Sequence, residues 1–193
     1  MSVEHIALRL VGLGPMLMHS ARLADPCDAV TRALAAVTAK VDKTEADHAR
    51  IAELEWHGGL WLFDGKPCLP AQCIKRVLVD AAKKRKKGNV AKAAFMADRP
   101  AMLQYDGPKS VAELWADGRF LHREMARVQG SRTVRTRPCF PGWSATFSAT
   151  FISSMMSRTD VIQLFKLAGP YGVGDHRPEY GRFLVEEVEL EPQ

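Results

Sequence analysis

Gly169-Pro-Tyr-Gly-Val-Gly174-Asp-His-Arg-Pro-Glu-Tyr-Gly181-Arg-Phe183 is the stretch on which the reading of this chain turns. It joins a helix-like segment to a strand-like one. Before it, Val161, Leu164, Phe165 and Ala168 recur at the spacing of one helical face, with Thr159 or Asp160 placed to cap the first turn. Gly169 is then the expected residue just past the helix, with Pro170 unable to continue it. After it, Phe183 to Leu190 reads as a last strand, and the phase change between Val185 and Val188 predicts a bulge. Glycine has no Cβ, so the backbone can take φ > 0 and another chain can come close. Exposed N–H groups around Gly172 and Gly174 would form a concave anion site, with the guanidinium forks of Arg177 and Arg182 beside it. The plain alternative is a surface connection that needs glycines only for its turns.

Working outward, Trp143, Ala145, Phe147, Ala149 and Phe151 alternate with Ser144, Thr146, Ser148 and Thr150, the clearest strand pattern in the chain. Ile6, Leu8 and Leu10 alternate with Ala7, Arg9 and Val11 in a first strand that Gly12-Leu-Gly14-Pro15 ends. Pro70 suits the first turn of a helix whose Ile74, Val77, Leu78, Ala81 and Ala82 lie on one face. That helix runs into Lys83-Lys-Arg-Lys-Lys87 and stops at Gly88. Phe120 to Val128 predicts a strand, and 129–142 a basic loop.

Between the first strand and the Pro70 helix, Cys27 to about His57 is alanine-rich and helical, with a break near Asp42-Lys43. Thr44 opens a Thr-x-x-Asp cap for the second helix, which Gly58-Gly59 stops. Leu60 to Phe63, Asp64-Gly65 and Lys66 to Leu69 read as a short hairpin. With insertions at about 13–69 and 89–118 set aside, the order is β-α-β-β-α-β. The expectation is an α+β fold, a single domain over 1–193 with a helical insertion after the first strand. Its core would be ferredoxin-like (RRM-like): a four-stranded antiparallel sheet with two helices on one face.

At 193 residues, 47% apolar and 25% charged, the chain can bury a core without disulfide staples. Cys27, Cys68, Cys73 and Cys139 form no Cys-x-x-Cys pair and no zinc-ligand spacing, so no metal or cofactor is expected. Four thiols with no leader-like N-terminus predict a reduced, cytoplasmic protein. No apolar run reaches the roughly 20 residues that span a bilayer. Nucleotide-binding Gly-x-x-x-x-Gly-Lys loops, Gly-x-Ser-x-Gly elbows and His-Glu-x-x-His pairs are absent, and Gly172-x-Gly174 precedes a strand, so it is no dinucleotide fingerprint.

The net charge of +5 is unevenly spread. Residues 119–158 hold Arg119, Arg123, Arg127, Arg132, Arg135, Arg137 and Arg158 against Glu124 alone. Residues 75–92 hold Lys75, Arg76, the Lys83–Lys87 run and Lys92 against Asp80. The compensating acids, Glu186, Glu187, Glu189 and Glu191 among them, lie elsewhere. Such segregation predicts a polyanion partner. A lysine run at a helix end can equally be a solvated face that suits the helix dipole. Arg132-x-x-Arg135-x-Arg137 beside Phe140 and Trp143 points more directly to nucleic acid, because guanidinium groups grip phosphate and aromatic rings stack on bases. The alternative is that Phe140 and Trp143 are core and the arginines pair with acids.

Three stretches resemble the repeat-associated (RAMP) superfamily of CRISPR proteins. One is Ile6 to Ser20, with Gly14-Pro15-Met-Leu-Met-His19 after the first strand. The second is Cys68-Leu-Pro-Ala-Gln-Cys-Ile-Lys75, which leads into the amphipathic helix. The third is Gly172-Val-Gly174 through Gly181-Arg-Phe183, placed like the family's glycine-rich loop. They cover about a third of the chain in the family's order. Gln72 and Cys73 stand where the family has serines, and Arg76 where glycine is common. The short chain also suits a small stand-alone relative carried by a phage or mobile element.

The resemblance implies a non-catalytic, antiviral-defence type of subunit that binds single-stranded nucleic acid, RNA in preference to DNA. Copies would line up along the strand as a homo-oligomer or within a ribonucleoprotein. In this reading the loop after the first strand, the Pro70 helix and the glycine loop form one groove. Its binding residues would be Lys75, Arg76, Arg132, Arg135, Arg137, Phe140, Trp143, Gly172, Gly174, His176, Arg177 and Arg182. The family's repeat-processing members imply an alternative, a metal-independent endoribonuclease with His19 as base and His176 as partner acid. Asp28, or Asp25, could serve a target-cleaving variant, although Asp28 is also a good helix cap. A third reading is a phage structural or inhibitor protein whose basic surface meets an acidic partner protein.

Overall fold

The computed structural model describes residues 2–128 and 131–189. Within them the chain is a mixed α+β protein. In order, its elements are β1 (Val3–Gly12), β2 (Met16–Leu17), α1 (Ala29–Thr38), α2 (Glu45–Gly59), β3 (Leu62–Phe63), β4 (Lys66–Leu69) and α3 (Ala71–Lys84). There follow α4 (Gly88–Ala94), β5 (Phe95–Ala97), β6 (Ala101–Tyr105), α5 (Val111–Ala116), β7 (Leu121–Val128), β8 (Ser131–Phe140), β9 (Trp143–Ile152), α6 (Arg158–Ala168) and β10 (Phe183–Val188). No helix among the described residues is long and apolar enough to cross a membrane.

The chain divides into two compact units, one of residues 1–16, 62–106 and 142–193, the other of 17–61 and 107–141. The expected insertions at 13–69 and 89–118 are therefore displaced. The Asp64-Gly65 hairpin belongs to the first unit, because Cys68 of β4 pairs with Met102 of β6. β5 and β6 belong there too, because both pair with β9.

In the first unit the sheet order is β10-β1-β9-β6-β4-β3, with β5 also on β9. The ladders that join these strands are antiparallel. β5 and β6 follow one line along β9 and are separated at Asp98-Arg99-Pro100, where proline has no N–H to give a ladder. Ile6, Leu8 and Leu10 of β1 and Ala145, Phe147, Ala149 and Phe151 of β9 are buried. So are Ile74, Val77, Leu78, Ala81 and Ala82 of α3, the stripe that sequence spacing predicts, and α3 packs beside α6. Phe165 of α6 meets the rings of Phe147 and Phe95 at 5.3 and 5.7 Å.

Three local expectations are corrected. Ser157, not Thr159 or Asp160, caps α6: its Oγ accepts the Asp160 N–H at 3.1 Å, and Asp160 Oδ2 accepts the Ser157 N–H at 3.1 Å. Gly169 keeps a helical φ of −49°, and the chain continues through a tight turn to Gly172, where φ reaches 77°. The β1–β10 register runs unbroken from Gly12↔Phe183 to Ala7↔Val188, so no bulge interrupts it. β10 is an edge strand on which Phe183 alone is fully buried, so burial imposes no strict alternation on its sequence. Gly88, expected as a stop, also opens α4.

In the second unit Asp28 caps α1, accepting the Val30 N–H at 2.9 Å. Thr44 and Asp47 form a reciprocal capping box on α2. A hydrogen bond from Lys40, with those from Thr44, pulls the Asp47 carboxyl down to about 2. Most of the expected basic loop at 129–142 is β8, paired with β7 from Leu121↔Pro138 to Val128↔Ser131. Gln129 and Gly130 lie outside the described residues. Val134, Thr133 and Thr136 are good strand formers, but three arginines and Pro138 mask their alternation.

Candidate nucleic-acid interface

On α3, positions 76, 80, 83 and 84 fall on one stripe of the helix, turned away from its buried face. Asp80 is the acid at the centre of that stripe. Arg76 Nε stands 3.8 Å from it, Lys83 Nζ 2.9 Å and, from the glycine loop, Arg177 Nη2 3.8 Å. Three cations thus share one carboxylate. Lys84 adds a fourth, its Nζ 5.5 Å from the centre of the Tyr171 ring. Since an exposed carboxylate can offset at most one of these charges, the surface keeps a net positive field.

The loop that supplies Arg177 is tied to the turn after β1. Gly181 N–H donates to Pro15 O at 2.7 Å, and Leu13 N–H to Arg182 O at 2.8 Å. It is also closed on itself, with Val173 N–H bonded to Gly181 O at 2.9 Å and Gly172 N–H to Ala168 O at 3.0 Å. The expected concavity of unpaired amides is corrected at Gly172, because the N–H groups of Gly172, Val173, Tyr180 and Gly181 are consumed by carbonyls. Glycine is required at Gly172 and Gly181 for close backbone packing: added Cβ atoms would meet Tyr180 O at 2.6 Å and Val173 O at 1.7 Å. Gly174 takes φ 95° and His176 φ 50° in the same loop. Arg177 Nη1 reaches back to Gly172 O at 3.4 Å, which steadies the guanidinium over the loop.

Lys75, a predicted binding residue, sits about 100° around the helix from Arg76 and so outside this stripe. Arg182 is exposed next to the buried Phe183. Trp143 does not offer a stacking surface. Its ring is 3% exposed, lies against Gly12, and gives its Nε1–H to Gly14 O at 3.1 Å. Cys73, close enough to feel Arg76 and Arg177, has its thiol pushed up by burial, an effect those two charges only partly offset. A raised thiol is a poor nucleophile at neutral pH.

The remaining predicted residues belong to the second unit. Phe140 is fully buried, edge-on to Phe120 at 5.5 Å, so base stacking is corrected for this ring too. Arg135 donates to the buried Glu55 of α2, whose other oxygen accepts the Thr136 N–H at 2.8 Å. It is a structural partner of α2 and β8. Arg132 is exposed and Arg137 half-buried on β8, while the Arg127 side chain lies outside the described residues, as does Glu191. Two further arginines of the basic segment are paired: Arg119 with Asp117, and, in the first unit, Arg158 with Glu187. Asp117 is two residues before Arg119, whereas Glu187 comes from β10, 29 residues after Arg158.

Of the candidate catalytic groups, His19 is exposed in the second unit and His176 is half-buried in the first. Asp28 is engaged as a cap and by Arg22, whose Nε lies 3.0 Å away and whose hydrogen bond holds the carboxyl below its ordinary range. Asp25 accepts the Cys27 N–H at 2.8 Å. Sequence reading missed Tyr171, Lys83 and Lys84 as members of one cluster. The signal was present in part, since Lys84 continues the Arg76/Asp80 stripe by helical spacing. No family model matches the chain, and no curated protein sequence matches it.

Proposed function

We propose that the protein is a non-catalytic subunit that binds single-stranded nucleic acid, RNA in preference to DNA, and assembles in copies along the strand. The observation that carries this is the gathering of Arg76, Lys83 and Arg177 around the carboxylate of Asp80, with Lys84 on the same helical stripe beside Tyr171. Guanidinium and ammonium groups held at one surface with one acid between them suit a chain of phosphates, where each contact releases a counterion. A ferredoxin-like core of RAMP type is part of the proposal. Its support is the sheet order β10-β1-β9-β6, which reads 4-1-3-2 when β6 is the second core strand in place of the expected Phe120–Val128 segment (β7, which pairs with β8), with α3 and α6 as the two crossovers. Further support is that the turn after β1, helix α3 and the glycine loop are bonded to one another through Pro15, Gly181, Arg177 and Asp80.

Fluorescence anisotropy with a labelled RNA strand, titrated across salt, tests the reading. Binding is expected to weaken steeply with salt. In the double variant Arg76→Gln/Arg177→Gln the log–log salt slope becomes shallower by about 1.4, at roughly 0.7 per lost phosphate contact on a single strand. Asp80→Asn moves affinity the other way, because it removes the acid that Arg76, Lys83 and Arg177 share. A flat salt response, or a loss of affinity in Asp80→Asn, overturns the assignment. Cleavage of the labelled strand on a denaturing gel would identify an endoribonuclease instead.

A further inference from the structure

A strand binder needs surfaces for bases as well as for phosphates, and the two rings expected to provide them, Trp143 and Phe140, are buried. We infer that Tyr171 is the stacking platform for an unpaired base at the α3–glycine-loop surface, an inference that rests on the function proposed above. Tyr171 is 48% exposed even with Lys84 over its ring. Its position is fixed by the backbone on both sides. It ends the tight turn Gly169–Tyr171, and the next N–H, that of Gly172, donates to both Ala168 O and Gly169 O. Arg177, gripping Gly172 O, brings its guanidinium to the residue that follows the ring.

A phosphate held by Lys84, whose ammonium lies 5.5 Å from the ring centre, would therefore have the aromatic surface beside it. Phe63 is also an exposed ring, but it lies on the β3–β4 hairpin opposite Lys66 and is no member of the cluster around Asp80. The ligand class is an unpaired nucleobase. In a duplex both faces of each internal base are already covered by its neighbours, so the ring contributes there only at ends. Tyr171 thus discriminates single strands from duplex, while the cations around Asp80 hold either.

The test compares wild type, Tyr171→Ala and Tyr171→Phe for binding to labelled oligouridylate and to its duplex with oligoadenylate, at several salt concentrations. Tyr171→Ala is expected to weaken single-strand binding about tenfold, within the range of one base stacked on an aromatic side chain. It should leave duplex binding and the salt slope unchanged, because no charge is removed. Tyr171→Phe should behave as wild type. Equal unfolding midpoints for the three proteins exclude a folding effect. If Tyr171→Ala binds the single strand as wild type does, or weakens strand and duplex alike, the stacking role is overturned and the phosphate-binding reading stands. If wild type binds neither probe, that reading falls and the platform with it.

Discussion

Gly181→Ala will unfold the protein in milder denaturant than any other single-methyl addition to the glycine loop, with a loss of about 4 kcal/mol or more. At Gly181 φ is +74°, where an L side chain is strained. The new Cβ would stand 1.7 Å from Val173 O and 2.8 Å from Val173 C. Both obstacles are main chain, so no rotamer change relieves the overlap. To admit the methyl group, the Val173–Gly181 and Gly181–Pro15 hydrogen bonds must open together. A domain is stable by only about 5–15 kcal/mol, so a loss of this size is a large share of the whole. Gly14→Ala is the matched control: it has no neighbour within 4 Å of the added Cβ, and its midpoint should stay within about 0.5 kcal/mol of wild type. Equal midpoints for the two variants in urea would show that the loop does not pack as described.

That loop illustrates how far the sequence could be read. Its position between a helix and a last strand was legible, because Val161, Leu164, Phe165 and Ala168 mark one and Phe183 the other. The partners of its amides were not legible. Whether an N–H faces a ligand or a carbonyl depends on a fold that brings Pro15 to Gly181 across more than 160 residues of chain. The core elements β1, α3 and β9 were legible for the reason that each buries one strict face. β8 was hidden because it is half polar and carries Arg132, Arg135 and Arg137. Charge was the most misleading signal. Counted along the chain, residues 119–158 look like an open basic surface, yet Arg119, Arg135 and Arg158 meet acids from Asp117, Glu55 and Glu187. The lysine run, easily dismissed as a solvated helix end, instead contributes Lys83 and Lys84 to the cluster around Asp80 and Tyr171.

Arg135 and Glu55 make the distinction between a binding and a structural arginine measurable. Glu55 is 2% exposed on α2, and one carboxylate serves two donors, the Arg135 guanidinium and the Thr136 N–H. Thr136 stands opposite Arg123 of β7, and its N–H goes to the Glu55 carboxylate in place of a ladder carbonyl. Glu55→Ala strands a buried N–H and a part-buried cation at once, and is expected to destabilise by about 2–4 kcal/mol. Glu55→Gln retains an acceptor for Thr136 and should cost about half as much. Arg135→Gln leaves a buried carboxylate with its amide partner only, so its loss should appear in the urea midpoint. A double-mutant cycle on Glu55 and Arg135 should return a coupling of about 1 kcal/mol or more. RNA affinity of the folded Arg135→Gln protein should stay within about twofold of wild type at moderate salt, as for a charge that touches no phosphate. If Arg135→Gln instead kept its stability and lost RNA binding, the guanidinium would be a phosphate contact and not a structural partner of Glu55.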